Sequence, residues 1–211
     1  MAEHNKRYKK KGKSKPHSST AGRHTKPQKQ FKKQMSPRLT APKGHIIVNG
    51  YSEQWLRQQF DWVYHQEVVG VGADVTTGSL VTITNKQGQV LGVGVYAETN
   101  QEQEVAVRRF SETVQNLDTA FFVERLALAL KRRVIESKTT AWRLVHSEND
   151  DLPGIVIDCW DKSVSITLSC VSLKGLLDDL MMALQQVYPF DNAVGHVRLP
   201  QGNQEYLGVL K

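Results

Sequence analysis

The first 43 residues hold fourteen lysines and arginines against one acid, Glu3, with few large apolar side chains among them. Such a stretch cannot bury enough apolar surface to offset the entropy of ordering its backbone, so a packed fold has to be built after Lys43. The arm is expected to be disordered. Blocks of like charge of this kind attract polyanions, because each cation that neutralises a phosphate releases a condensed counterion. Lys9, Lys10, Lys11, Lys13, Lys15, Arg23, Lys26, Lys32 and Lys33 are its candidate RNA contacts. The rest of the chain carries fourteen basic and twenty acidic residues, so the formal net charge of +7 resides wholly in the arm.

Past Pro42 the pattern becomes that of a globular chain. "HIIVNG" reads as a strand closed by Asn-Gly, and "SEQWLRQQF" as a helix with Ser52 as its N-cap. "VVGVG", "LVTIT", "VLGVGVYA" and "EVAVRRF" are β-branched runs at close spacing, which predict a small antiparallel barrel or curled sheet. Gly92 and Gly94 alternate with apolar residues there, as where a strand bends sharply or another backbone comes close.

From Asp118 the period changes. "LDTAFFVERLALALKRRVIESK" reads as a long helix capped by Asp118, burying Phe122, Leu126, Leu130 and Val134. "WRLVH", "GIVIDCW" and "SVSITLSC" follow as strands, "LKGLLDDLMMALQQVY" as a helix stopped by Pro189, and "AVGHVRL" as a last strand. That order predicts an α+β arrangement with helices on one face of a sheet.

Residues 108–143 form the basic segment of this folded part, with eight cations against four acids. Arg108, Arg109, Arg125, Arg132 and Arg133 are its candidate RNA contacts, a solvated helix face being the plainer reading. Glu148, Asp150 and Asp151 crowd the connection "SENDDLPG". No HxxxH or HExxH spacing supports a metal reading, so the residues are expected to form a hydrated, strand-capping turn with side chain to backbone bonds at Asn149 and Asp150. Cys159 and Cys170, the only cysteines, fall in strand-like runs and read as buried thiols. No window reaches the roughly 18 to 20 apolar residues that span a bilayer, and the N-terminus lacks the apolar stretch of a secretory signal. A cytoplasmic protein without membrane contact is expected.

"RLVHSENDDLPGIVID", with "DTAFFVERLALALKRR", "LRQQFDWVYHQEV" and "LGVGVYA", resembles the ribosomal-RNA large-subunit 5-methylcytosine methyltransferases that begin with a PUA domain. The resemblance implies a PUA RNA-binding domain, a central α/β domain, and a C-terminal Rossmann-like domain that uses S-adenosylmethionine. On it, the chain is expected to hold a disordered basic tail (1–43), a small PUA-like β-barrel domain (44–110) and a central α/β domain with helices packed on a mixed sheet (111–211). Two local departures stand out: Phe60 and Asp61 replace the family's His-Pro, and Asp151 replaces a glycine, at a position that favours φ above zero.

Methyl transfer to C5 of a pyrimidine needs a thiolate nucleophile and a donor-binding fold. This sequence offers no glycine-rich strand-to-helix loop followed by an acidic ribose partner, and no Asp-Pro-Pro or Pro-Cys element. The catalytic domain is therefore expected to lie outside this chain, with no cofactor bound here and S-adenosylmethionine belonging to the full-length family. An rRNA-binding, substrate-positioning protein is the first expectation, whether alone or beside a separate catalytic polypeptide. A protein-partner module with a solubilising arm is the alternative.

Overall fold

The computed structural model describes residues 41–98, 104–133, 139–198 and 203–210. The expectation of a disordered arm falls on residues outside these, and so do the nine candidate contacts from Lys9 to Lys33.

Strand β1 (Gly44–Val48) runs into helix α1 (Gly50–Arg57), followed by β2 (Trp62–Tyr64), β3 (Val68–Val71), β4 (Leu80–Thr84), β5 (Val90–Tyr96) and β6 (Val105–Ser111). They form one curled sheet in the order β2-β6-β5-β4-β1-β3. The expected antiparallel arrangement needs correction at one place, because β1 lies parallel to β4. The chain fills the outer side of β1 with β3 before β4 arrives, so β4 takes the inner side in the direction of β1. β2 and β3 are edge strands, so the sheet is a half-barrel rather than a closed one.

Helix α1 starts earlier than expected. Asn49, not Ser52, is its N-cap: the Asn49 Oδ1 accepts from the Ser52 N–H at 2.9 Å. Ser52 is the third helical residue, the position whose N–H an N-cap side chain reaches, and it is buried. Helix α2 (Thr119–Lys131) begins where expected, with Asp118 Oδ1 accepting from Phe121 N–H at 3.1 Å. Phe122 and Leu126 are fully buried and Leu130 partly so, while Val134 lies outside the described residues.

The second sheet comprises β7 (Ala141–His146), β8 (Ile155–Trp160), β9 (Ser163–Leu168), β10 (Asn192–Arg198) and β11 (Gln204–Leu210), in the order β11-β10-β9-β8-β7. Only β9 and β10 are parallel, joined by a 3-10 turn (Val171–Leu176) and helix α3 (Leu177–Val187). The sheet is thus mixed, as expected. β10 is not the last strand, however: β11 pairs antiparallel with it through a register shift at Gly195 and His196. Alternation along β8 and β10 buries Ile155, Ile157, Cys159, Ala193 and Val197 on one face.

A continuous core joins this face to α2, α3 and the Leu80, Val93, Val95 and Phe110 side chains of the first sheet. A smaller cluster, with Ile46, Leu56, Val63 and Ile83, fills the inside of the curl. Each such side chain fully withdrawn from water contributes roughly 1.5 to 3 kcal/mol. The two sheets are therefore held against each other by packing, and residues from both build the surface between them. Among the described residues no helix is long and apolar enough to cross a membrane.

Candidate nucleic-acid interface

The acidic turn and the basic helix, two separate features of the linear sequence, are partners in space. Asp150 is 2% exposed; its Oδ2 accepts from Arg133 and, at 2.7 Å, from the backbone N–H of His146. Arg132 donates to Asn149 O at 3.0 Å and to Asp151 Oδ2 at 3.2 Å, and Arg125 lies 3.6 Å from that carboxylate. The expectation that the turn stays in water is thus corrected for Asp150, whose charge is buried against two guanidinium groups. Asp151 takes the left-handed conformation (φ 56°) that its place in the turn suggested. Arg125, Arg132 and Arg133 have their guanidinium groups engaged in holding this turn.

Arg109 also has a structural role. It is 4% exposed, donates from Nε to Asp61 Oδ1 at 3.0 Å, and reaches Leu91 O at 3.2 Å. Burial pushes the Asp61 carboxyl up, with the neighbouring Arg109 pulling the other way. Of the five candidate arginines in the folded part, Arg108 alone has no carboxylate partner among the described residues. Its Nε is buried without a hydrogen-bond acceptor. The stem runs past Gly154, where a Cβ would come within 3.0 Å of the Arg108 Cδ, so the glycine of "LPG" leaves the arginine its path.

A cleft of about 620 Å³ is lined by the rings of Tyr51, Trp55, Phe60, Trp62 and Tyr64 and by the carboxylates of Asp61, Glu67 and Glu148. β-pairing sets Trp62 directly opposite Arg108. The aromatic side chains meet edge to face, Tyr51 on Trp55 at 5.7 Å, Trp55 on Phe60 at 4.6 Å, and Trp62 on Tyr64 at 6.4 Å. Phe60 is 54% and Trp62 38% exposed, so the cleft presents apolar rings to solvent. Gln59, at φ 66°, turns the chain sharply after α1 so that Phe60 folds back on Trp55. Trp62 Nε1 donates to Glu148 Oε1 at 2.9 Å, tying the first sheet to the acidic turn. Glu67 is buried and committed locally, accepting from Tyr64 N–H at 2.9 Å.

This cleft was not among the expectations. Its signal is nonetheless present, since five of the chain's sixteen Phe, Trp and Tyr residues fall between positions 51 and 64. Aromatic density marks it, and the clustering of cations that marks a phosphate contact does not.

Both thiols are buried, as expected. Burial pushes Cys159 up to about 12, with Asp158 adding to the effect. Cys170 is 5% exposed and shares a hydrogen bond with Ser172 Oγ at 3.1 Å. The β9 to β10 crossover is the place where an α/β unit would hold a nucleotide-like methyl donor. The residues that follow β9, Ser169 to Ser172, include no glycine, Cys170 and Ser172 are buried, and β10 ends in Arg198 rather than an acid. They do not fit the donor. Among the described residues no group of three or more His, Cys, Asp or Glu side chains is placed to hold a metal ion.

Residues 46–112 match the model of a PUA-like domain. Ribosomal RNA large subunit methyltransferase I of Alteromonas mediterranea is 28% identical over 173 residues, covering 78% of this chain and 43% of that protein. The protein of the same name from Shigella boydii is 29% identical over 183 residues, covering 83% of this chain and 44% of its own length. A candidate SAM-dependent methyltransferase from Streptococcus mutans superposes with a TM-score of 0.66 at 18% identity, over 79% of this chain and 43% of that one. A candidate methyltransferase solved in complex with SAH gives 0.65 at the same identity. The chain spans less than half the length of the curated relatives it matches. It carries a PUA-like domain, and over most of its own length it is similar to part of the proteins called ribosomal RNA large subunit methyltransferase I.

Proposed function

We propose that this chain binds single-stranded RNA, ribosomal in origin, and positions it as the front part of a SAM-dependent rRNA cytosine-C5 methyltransferase does. Residues 44–110 act as the PUA-like reader and 111–211 as the central domain that braces it. Methyl transfer is the work of another polypeptide segment or a separate catalytic chain, which supplies S-adenosylmethionine, and the setting is the cytoplasm. The observation that carries the reading is the open aromatic cleft, one of whose rings, Trp62, is paired across the strands with Arg108, an arginine without a carboxylate partner among the described residues. Unstacked bases lie on aromatic faces, and a guanidinium answers the phosphate between them.

Stacking on one aromatic side chain contributes about 1 to 3 kcal/mol per base, so Trp62→Ala should weaken single-stranded RNA binding roughly tenfold or more. Arg108→Ala should weaken all sequences alike and flatten the dependence of log K on log salt by about 0.7. Fluorescence anisotropy with a labelled oligoribonucleotide measures both. Wild-type affinity in Trp62→Ala would remove the cleft from RNA binding.

Residues 44–107 carry two basic and seven acidic residues, so long-range attraction has to come from the arm. Deleting residues 1–43 should remove most of the affinity at low salt and flatten the salt slope by several phosphate contacts, at about 0.7 each. The same acidic balance favours a second reading, a cleft for a basic protein segment. A partner of that kind would stay bound to the truncated chain in high salt.

A further inference from the structure

We infer, resting on the RNA reading above, that the cleft selects bases bearing an exocyclic amino group, and that Glu148 reads that group. One oxygen of this carboxylate, Oε1, is filled by the indole N–H of Trp62 at 2.9 Å. Oε2 receives no donor among the described residues, and the half-buried side chain lines the cleft. Asp61 repeats the pattern, with Oδ1 taken by Arg109 and Oδ2 without a donor among the described residues. An ionised carboxylate only accepts hydrogen bonds. A base lying on the Trp62 face can therefore satisfy Oε2 only with an N–H. Cytosine N4 and adenine N6 present one at the outer edge of the base, whereas uracil turns the acceptor O4 to the same place and keeps its Watson–Crick donor, N3–H, within the ring.

Glu148 is held for this task before any ligand arrives. Its turn is pinned by Asp150, which accepts from Arg133 and from His146 N–H, and by Arg132, which donates to Asn149 O. Little ordering remains to be done on binding, which preserves the discrimination a mobile carboxylate would lose.

The geometry makes a sharp substitution available. In Glu148→Gln the Trp62 N–H still requires an oxygen opposite it, so the amide NH2 must occupy the position of Oε2. That replaces an acceptor by a donor at one point, and the donor suits uracil O4.

The test compares oligocytidylate with oligouridylate of equal length on the full chain, since these bases differ little in size and chiefly at this edge. Wild type should prefer oligocytidylate by about fivefold or more, the lower end of what one good base contact supplies, and E148Q should level or reverse the ratio. Equal binding of the two by wild type, with Trp62→Ala still weakening both, overturns the selection while leaving the RNA reading intact. A wild-type preference that E148Q leaves unchanged overturns the role of Glu148. Failure to bind either oligonucleotide, with capture of an arginine-rich peptide instead, removes the RNA reading and this inference with it.

Discussion

Asp150→Ala is expected to destabilise the fold by about 3 to 5 kcal/mol in urea unfolding, the loss seen when one member of a buried ion pair is removed. The carboxylate is 2% exposed, accepts from Arg133 and the His146 N–H through one oxygen, and has Arg132 3.6 Å from the other. Alanine leaves the Arg133 guanidinium, whose side chain is 24% exposed, without its carboxylate, and a backbone N–H without an acceptor. For a chain of this size such a loss lowers Tm on the order of 10 °C.

The neighbouring Asp151 supplies the contrast. It is 44% exposed, and its ion pairs with Arg125 and Arg132 are of the hydrated kind that contribute at most about 1 kcal/mol. Asp151→Gly also relieves a left-handed residue, so the change should stay within about 1 kcal/mol of wild type. Comparable midpoints for Asp150→Ala and Asp151→Gly would mean that the turn is not clamped through Asp150. Loss of the clamp should also release Glu148, so Asp150→Ala should blunt the discrimination between oligonucleotides even at temperatures where it remains folded.

Features set by neighbours in sequence were legible before the structure. Asp118 announces a helix because an N-cap acts over three residues, and the β-branched runs announce strands because alternation is a local property. Ser52 misled for the same local reason: Asn49 is also a capping residue, and which of two candidates caps depends on what the first turn buries. Pairings across long separations were not legible. Arg132 and Asp151 are nineteen positions apart, Trp62 and Glu148 eighty-six, and neither partner's identity marks the other. The basic segment thus read as a solvated helix face or, less plainly, as a phosphate surface, and neither reading contains the acidic turn that packing brings onto it. β11 was not legible because the extra residue of its bulge, Leu207, between Tyr206 and a Gly208 with φ 92°, interrupts the alternation that identifies a strand.

Gly92→Ala should be among the most damaging single changes in the first sheet, at about 3 to 5 kcal/mol, because strain and collision act together there. Gly92 has φ 141°, a conformation L side chains rarely adopt. A Cβ at that point would lie 2.2 Å from the Ser111 carbonyl oxygen and 2.7 Å from Arg109 Cδ. The first contact is with backbone of the paired strand β6, which cannot move without opening the ladder. The second is with the stem of a buried arginine that crosses Gly92 to reach Asp61 and Leu91 O. Moving that stem exposes the Asp61 to Arg109 pair, and with it the turn that places Phe60 and Trp62 at the cleft.

Gly88 separates the two causes. It too has positive φ, 79°, but nothing lies within 4 Å of its would-be Cβ. Gly88→Ala should therefore lose only about 1 to 2 kcal/mol, the conformational part alone. Equal urea midpoints for the two alanine variants would show that close approach at Gly92 contributes nothing. A larger loss at Gly92, accompanied by weakened RNA binding in the folded fraction, is the result the geometry requires, since one methyl group would disturb both the β5 to β6 ladder and the ion pair behind the aromatic cleft.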